Sequence, residues 1–249
     1  MTRASEDGVK SYAPLRNMAL FNELVERVIG RASHLPGMAC FYGHSGYGKT
    51  FSAIWAANRS RAYYVELGET WTRKTLCLAI LRELGLGSLG HGALPDLVSS
   101  IVDRLAEERD RPLIIDEADF LAKKGMIDLV REIHDKSQAP VILIGEELLP
   151  VKLQKFERTH NRMLDWVAAV PADIQDTRHL ARIYAAGAEI ADDLLAAILK
   201  ASDGRARRIA VNLDRVREKA QLKGRKQLSL AEWGDAPFFT GEPPRRRAA

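Results

Sequence analysis

Residues 43–50 read GHSGYGKT, which fits the spacing G-x-x-x-x-G-K-[ST] of a loop that cradles phosphates. Gly43, Gly46 and Gly48 let the backbone turn tightly. With His44, Ser45 and Tyr47 between them, they bring N–H groups close to phosphate oxygens, and a helix starting at Lys49 aims its positive dipole end at the same place. Lys49 offers a point charge to the outer phosphates, and Thr50 a hydroxyl ligand for Mg2+. With Phe51 at the helix start, residues 43–51 are expected to bind ATP. A second stretch, LIIDEAD at 113–119, reads as a buried strand ending in acids. Asp116 is expected to hold Mg2+ through water, and Glu117 to orient and deprotonate an attacking water. Asp119, at a position that is more often structural, is left unassigned.

Two further stretches bring arginines. In SDGRARRIAVNL (202–213), Gly204 is followed three residues later by Arg207 at the opening of a basic helix, from which Arg207 would reach back to a γ-phosphate. In FERTHNRMLDWV (156–167), Arg158 or Arg162 closes a helix ahead of a strand. Arg162, next to the strand, is the preferred candidate for a finger that enters a neighbouring subunit's nucleotide site. Such a finger contributes about 10³–10⁵ in rate.

The elements that must hold these groups follow from apolar periodicity. GMACFYG (37–43) is a short apolar strand running into the glycine turn, and TFSAIWAANR continues as a helix, which is the strand–turn–helix setting a phosphate loop requires. Further strands are expected at 62–67, 112–119, 140–147 and 164–171. Helices are expected at 15–32, 71–85, 95–110, 126–137 and 148–163, with a glycine-rich loop at 85–95. Alternating strands and helices imply an α/β fold with a parallel sheet covered on both faces. After Pro171 the pattern is helical only.

Composition narrows the classes. The chain has 249 residues, 46% of them hydrophobic, ordinary for a globular protein. No apolar run approaches the roughly 18–20 residues of a membrane helix, and MTRASEDGVKSY lacks the apolar centre of a secretory signal. Cys40 and Cys77 read as small core residues, without a disulfide scaffold or a metal site beyond the nucleotide's Mg2+. A reducing cytoplasm and no membrane association are expected. The net charge is +4, but three positive charges (Arg245–Arg247) lie in the terminal GEPPRRRAA. Local charge says more: residues 200–226 carry ten Lys or Arg against three Asp or Glu. Such a patch suits a polyanion or a partner, or is a solvated helix face.

These elements, in this order, resemble the AAA+ ATPases over roughly residues 15–220. FYGHSGYGKTFSAIWAA, YYVELGETWTRKTLCLAILRELG and PLIIDEADFLAKKGMIDLVREIHDKSQAPVILIGEELL look most like the transposition-helper group: protein B of phage Mu-like elements and the target-selecting ATPases of related transposons. The resemblance implies a P-loop AAA+ three-layer αβα core with a parallel sheet over 15–172. It also implies a small all-helical lid domain over 173–238, flanked by a flexible N-terminus (1–14) and a flexible basic tail (239–249). It further implies a homo-oligomer, a helical filament or ring, that binds double-stranded DNA when ATP is bound and delivers it to a transposase. In such assemblies the loops after the second strand and after the Asp-Glu strand face the channel. Here these carry Arg73 and Lys74, and Lys123 and Lys124, which would track phosphates without reading bases. Trp71 either stacks there or belongs to the core.

Two features depart from the resemblance. The fourth strand ends in Gly145 and Glu146, where AAA+ proteins usually place a polar Asn or Thr sensor. Only about 14 residues precede the first core helix, so the helix-turn-helix region that stands ahead of the ATPase core in phage Mu protein B is not expected. A helicase loader or replication initiator is the alternative reading, and a nucleotide-switched interaction module without DNA is the second.

Overall fold

The computed structural model describes residues 15–89 and 92–243. The segment 1–14, the last six residues of the basic tail, and positions 90–91 of the glycine-rich loop lie outside the described residues.

Five strands form one sheet: β1 (Met38–Tyr42), β2 (Tyr63–Glu66), β3 (Leu113–Asp116), β4 (Val141–Gly145) and β5 (Met163–Ala168). Their order is β2-β3-β4-β1-β5 and every pairing is parallel. β3 and β4 (LIID and VILIG) are buried at every residue. Continuous apolar runs of this kind are what a strand needs when helices cover both faces.

Parallel neighbours cannot be joined by tight turns, so helices carry the crossovers. They are α2 (Lys49–Ser60), α3 (Arg73–Glu83), α4 (Leu94–Glu107), α5 (Asp119–Lys123), α6 (Ile127–Ser137), α7 (Leu149–Gln154) and α8 (Glu157–His160), while α1 (Arg16–Ile29) precedes β1. One core packs Leu76, Ile80 and Leu81 of α3, Leu97, Ile101 and Leu105 of α4, and Val130 and Ile133 of α6 with Leu113, Ile115, Val141 and Leu143. Elsewhere Phe21 of α1 meets Phe41 of β1 edge to face, centroids 5.1 Å apart.

The helix expected at 148–163 is two helices. The chain leaves helical geometry at Phe156 (φ −109°, ψ 75°), and α8 then restarts for one turn. The five-residue α5, directly after the acid pair, is too short for periodicity to reveal.

The chain divides into two compact units: Asn17–Ser45 with Lys49–Ala169, and a second built mainly on the chain from Val170 onward, which takes in Gly46–Gly48. The C-terminal region is helical, with α9 (Ile174–Tyr184), α10 (Asp192–Ala201), α11 (Ala206–Leu222) and α12 (Leu230–Trp233). Asp173 caps α9 by accepting from the N–H groups of Gln175 and Asp176. One feature corrects the all-helical expectation for this region: β6 (Glu189–Ile190) and β7 (Gln227–Leu228) pair in parallel, two residues each, too short to register as strands in the sequence. Fully buried Asn212 of α11 donates to Ser202 Oγ (3.1 Å) and to the Phe239 carbonyl (3.0 Å), and accepts the Phe239 N–H (2.7 Å). These bonds hold the start of the stretch read as a tail against α11.

Candidate functional site

The glycine loop leaves the end of β1. The Gly43 N–H reaches the Gly145 carbonyl at 3.3 Å, which ties the loop's first residue to the end of β4. Gly46 (φ +88°) and Gly48 (φ +84°) occupy the left-handed region, which side chains enter only at a cost. α2 begins at Lys49, and the first turn of a helix, whose N–H groups have no intrahelical acceptor, is a setting that favours an anion. The Lys49 ammonium folds into the loop, donating to the carbonyls of Gly43 (2.6 Å) and His44 (3.1 Å). Burial pushes it below its ordinary value, against the opposing pull of Asp116 and Glu117. Ser45, Thr50 and Phe51 are exposed. His44 Nε2 lies 2.9 Å from Glu147 Oε2.

Asp116 ends β3 and is 2% exposed. One carboxylate oxygen accepts the Glu117 N–H (2.8 Å), the other the Tyr64 hydroxyl (2.9 Å). Burial and the Asp116 charge hold the Tyr64 phenol far above its ordinary value, so it remains a donor. Glu117 has φ +55°, a left-handed conformation costing a non-glycine residue about 1–3 kcal/mol. Burial, followed by the charges of Asp116 and Asp119, raises its carboxyl above the ordinary carboxylate range, with Lys49 opposing. Lys49, Asp116 and Glu117 thus share one electrostatic neighbourhood.

Asp119 has a structural role. It accepts the Glu146 N–H (2.6 Å) and pairs with Lys152 Nζ (2.6 Å), joining the start of α5 to the end of β4 and to α7. A Cβ on Gly145 would collide with the Asp119 carboxylate and lie 2.6 Å from Leu149 Cδ2. The strand end where a polar sensor was sought is therefore filled by a carboxylate reaching in from α5. Glu146 instead lines a cavity of about 490 Å³ with Glu117, Asp119, Lys152 and Lys155.

The arginines fall differently from expectation. Arg162 Nε donates to Asp135 Oδ1 at 2.6 Å, and Asp135 also accepts from Arg131 (2.6 Å). The preferred finger is thus engaged within its own subunit. Arg158 of α8 is exposed and makes no hydrogen bond or ion pair among the described residues. In the C-terminal unit, the Arg207 N–H reaches the Gly46 carbonyl at 3.3 Å, while its side chain is exposed. Arg205, not singled out from sequence, lies over the Tyr47 ring (5.8 Å to the centroid), and its Cβ would be 3.4 Å from a Cβ on Gly46. A Gly-x-x-Arg spacing points to Arg207 and passes over this neighbour.

The structure brings the two basic pairs together. Arg73 donates to the Gly125 carbonyl (3.2 Å), Lys123 pairs with Glu69 (3.3 Å), and Lys124 bonds the carbonyls of Glu69 and Trp71. The loop after β2 and the turn after α5 are therefore fastened to one another, with all four basic side chains exposed. Lys74 makes no such bond among the described residues. Trp71 is half-buried and packs against the core. Part of the basic patch at 200–226 is engaged as well: Arg215 lies over Phe239 (5.4 Å) and Lys219 over Trp233 (4.6 Å).

A five-stranded parallel sheet in this order, flanked by helices, with a glycine loop after β1 and an acid pair closing β3, is the P-loop AAA+ fold. Residues 32–153 match the family described as AAA domain. No curated protein sequence matches the chain. Among solved structures, the chain is similar to the Aeropyrum pernix ORC1 protein in complex with DNA (TM-score 0.66, 20% identity, 91% of this chain and 65% of that one). It is also similar to the Aeropyrum pernix ORC2 protein solved as ADPNP-ADP complexes (TM-score 0.65, 20% identity, 95% and 72%). A third is Cdc6p from Pyrobaculum aerophilum (TM-score 0.63, 20% identity, 90% and 66%). The chain thus spans about two thirds of the length of these proteins. No described helix is long and apolar enough to cross a membrane.

Proposed function

We propose that this chain is an ATP-hydrolysing AAA+ protein that, when loaded with ATP, assembles with further copies and grips duplex DNA without strong sequence preference. The observation that carries the reading is the convergence of Lys49, Asp116 and Glu117 beside a glycine loop whose Gly46 and Gly48 adopt positive φ at the start of α2. The residues fit ATP with Mg2+. The Lys49 ammonium already sits among backbone oxygens within the loop, Thr50 is exposed, and Asp116 is a carboxylate held in one orientation. Mg2+, when bound, supplies charge neutralisation for the phosphates. Lys49 holds the outer phosphates, and Glu117, with its raised carboxyl, orients and deprotonates the attacking water. Arg207 and Arg205 are the cis candidates for sensing the nucleotide. Arg158, exposed and uncommitted, is better placed than Arg162 to enter a neighbour's site.

For DNA, Arg73, Lys74, Lys123 and Lys124 form one exposed basic surface, in which Glu69 offsets part of the charge. The motifs of the sequence favour delivery of target DNA to a transposase. The structural likeness to ORC1 in complex with DNA favours a replication initiator or helicase loader about equally. The two readings separate by partner: immobilised, ATP-loaded protein should retain a transposase in the first case and a replicative helicase in the second. The shared part is tested by Lys49→Ala. This variant should lose binding of a fluorescent ATP analogue by at least about tenfold, as expected for removing a charge-assisted contact, together with nucleotide-dependent assembly in sedimentation. Unchanged binding would remove the site assignment.

A further inference from the structure

We infer that Tyr64 is a positioning residue for Asp116, fixing the carboxylate that would carry the nucleotide's divalent cation; this rests on the proposed ATPase reading. β2 and β3 pair with Tyr64 beside Ile114 and Glu66 beside Asp116. Paired residues of parallel neighbours share a face, and residues two apart along a strand share it too. Tyr64 and Asp116 therefore point to the same side of the sheet, and the phenol ring spans the two-residue offset to place its hydroxyl 2.9 Å from Asp116 Oδ2. Tyr63, on the opposite face, is buried in the core and donates instead to Glu108. Strand alternation thus aims one of two adjacent tyrosines at the acid.

The bond has few substitutes. Asp116 is 2% exposed, so bulk water does not replace a missing donor. Its other oxygen is committed to the Glu117 N–H. Together the two donors lock the carboxylate about its final torsion and leave its remaining lone pairs to a cation's hydration shell. In this proposal Tyr64 acts only through Asp116. Groups that hold metal-directed carboxylates by hydrogen bonds typically change metal affinity 10–100-fold when removed.

The test separates metal binding from turnover. Mn2+ is titrated into the full chain saturated with a non-hydrolysable ATP analogue, and free Mn2+ is read by electron paramagnetic resonance. Tyr64→Phe keeps the ring and removes the donor. It should bind the analogue without metal as the unaltered protein does, while its Mn2+ midpoint rises about tenfold or more. Tyr64→Leu, which also lacks the donor, reads the same quantity if the phenylalanine variant does not fold. An unchanged midpoint in the folded variant, with Asp116→Asn shifted, overturns the role of Tyr64. An unchanged midpoint in Asp116→Asn overturns the assignment of Asp116 instead, so the two failures are distinct.

Discussion

Glu117 is held in a state that its own conformational preferences oppose. Its backbone is left-handed at φ +55°, and its carboxyl is raised by burial and by Asp116 and Asp119. A raised acid in the folded state means that the fold binds that proton more tightly than the unfolded chain does. The ionised side chain therefore costs stability above its folded value, and the cost disappears as pH falls below the ordinary carboxylate range. Glu117→Gln removes this cost while retaining the shape. In calorimetry it should melt above the unaltered protein at pH 7.5, with the difference closing towards pH 4. The same variant should bind ATP normally and hydrolyse it about 10²–10⁴-fold more slowly, measured as phosphate release. Undiminished hydrolysis would take the water-activating role away from Glu117.

At the scale of elements, Asp119 holds together the junction of β4, α5 and α7. Gly145 has no room for a side chain there. Gly145→Ala should therefore destabilise the fold by about 1–3 kcal/mol, the usual range for overpacking, in urea unfolding; a neutral result would mean that the Asp119 carboxylate moves aside freely. The same junction marks the limit of what the sequence discloses. The strands β1, β3 and β4 are apolar runs, so the parallel sheet was legible, as were the helix start at Lys49 and the place of Asp116 at the end of β3. For Asp119 a structural part was the more usual reading, but its partners were not legible, because Glu146 and Lys152 lie 27 and 33 residues away. Arg162 looked like a free finger, because nothing local announces Asp135 on another helix. The pairing of β6 with β7 involves two residues on each side and leaves no periodic trace. What escaped was long-range pairing of polar groups, which periodicity does not encode.

Across the whole molecule, the proposed assembly and DNA binding would draw on exposed charged side chains. Arg158 is one. Arg158→Ala should leave ATP binding intact and slow hydrolysis by about 10³-fold or more if it completes a neighbour's site in trans, whereas Arg162→Ala should mainly remove the exposed pair with Asp135, worth about 1 kcal/mol or less. The reverse ranking in phosphate release would restore Arg162 as the finger. The basic surface of Arg73, Lys74, Lys123 and Lys124 makes the most direct demand. Fluorescence anisotropy of a labelled duplex should be measured with and without a saturating non-hydrolysable ATP analogue, at several salt concentrations. The expected result is binding only with the analogue, indifferent to duplex sequence and falling steeply with salt as phosphate contacts release counterions, with a shallower salt slope for Lys74→Ala. Protein that is saturated with the analogue yet leaves the duplex free at low salt would contradict the account.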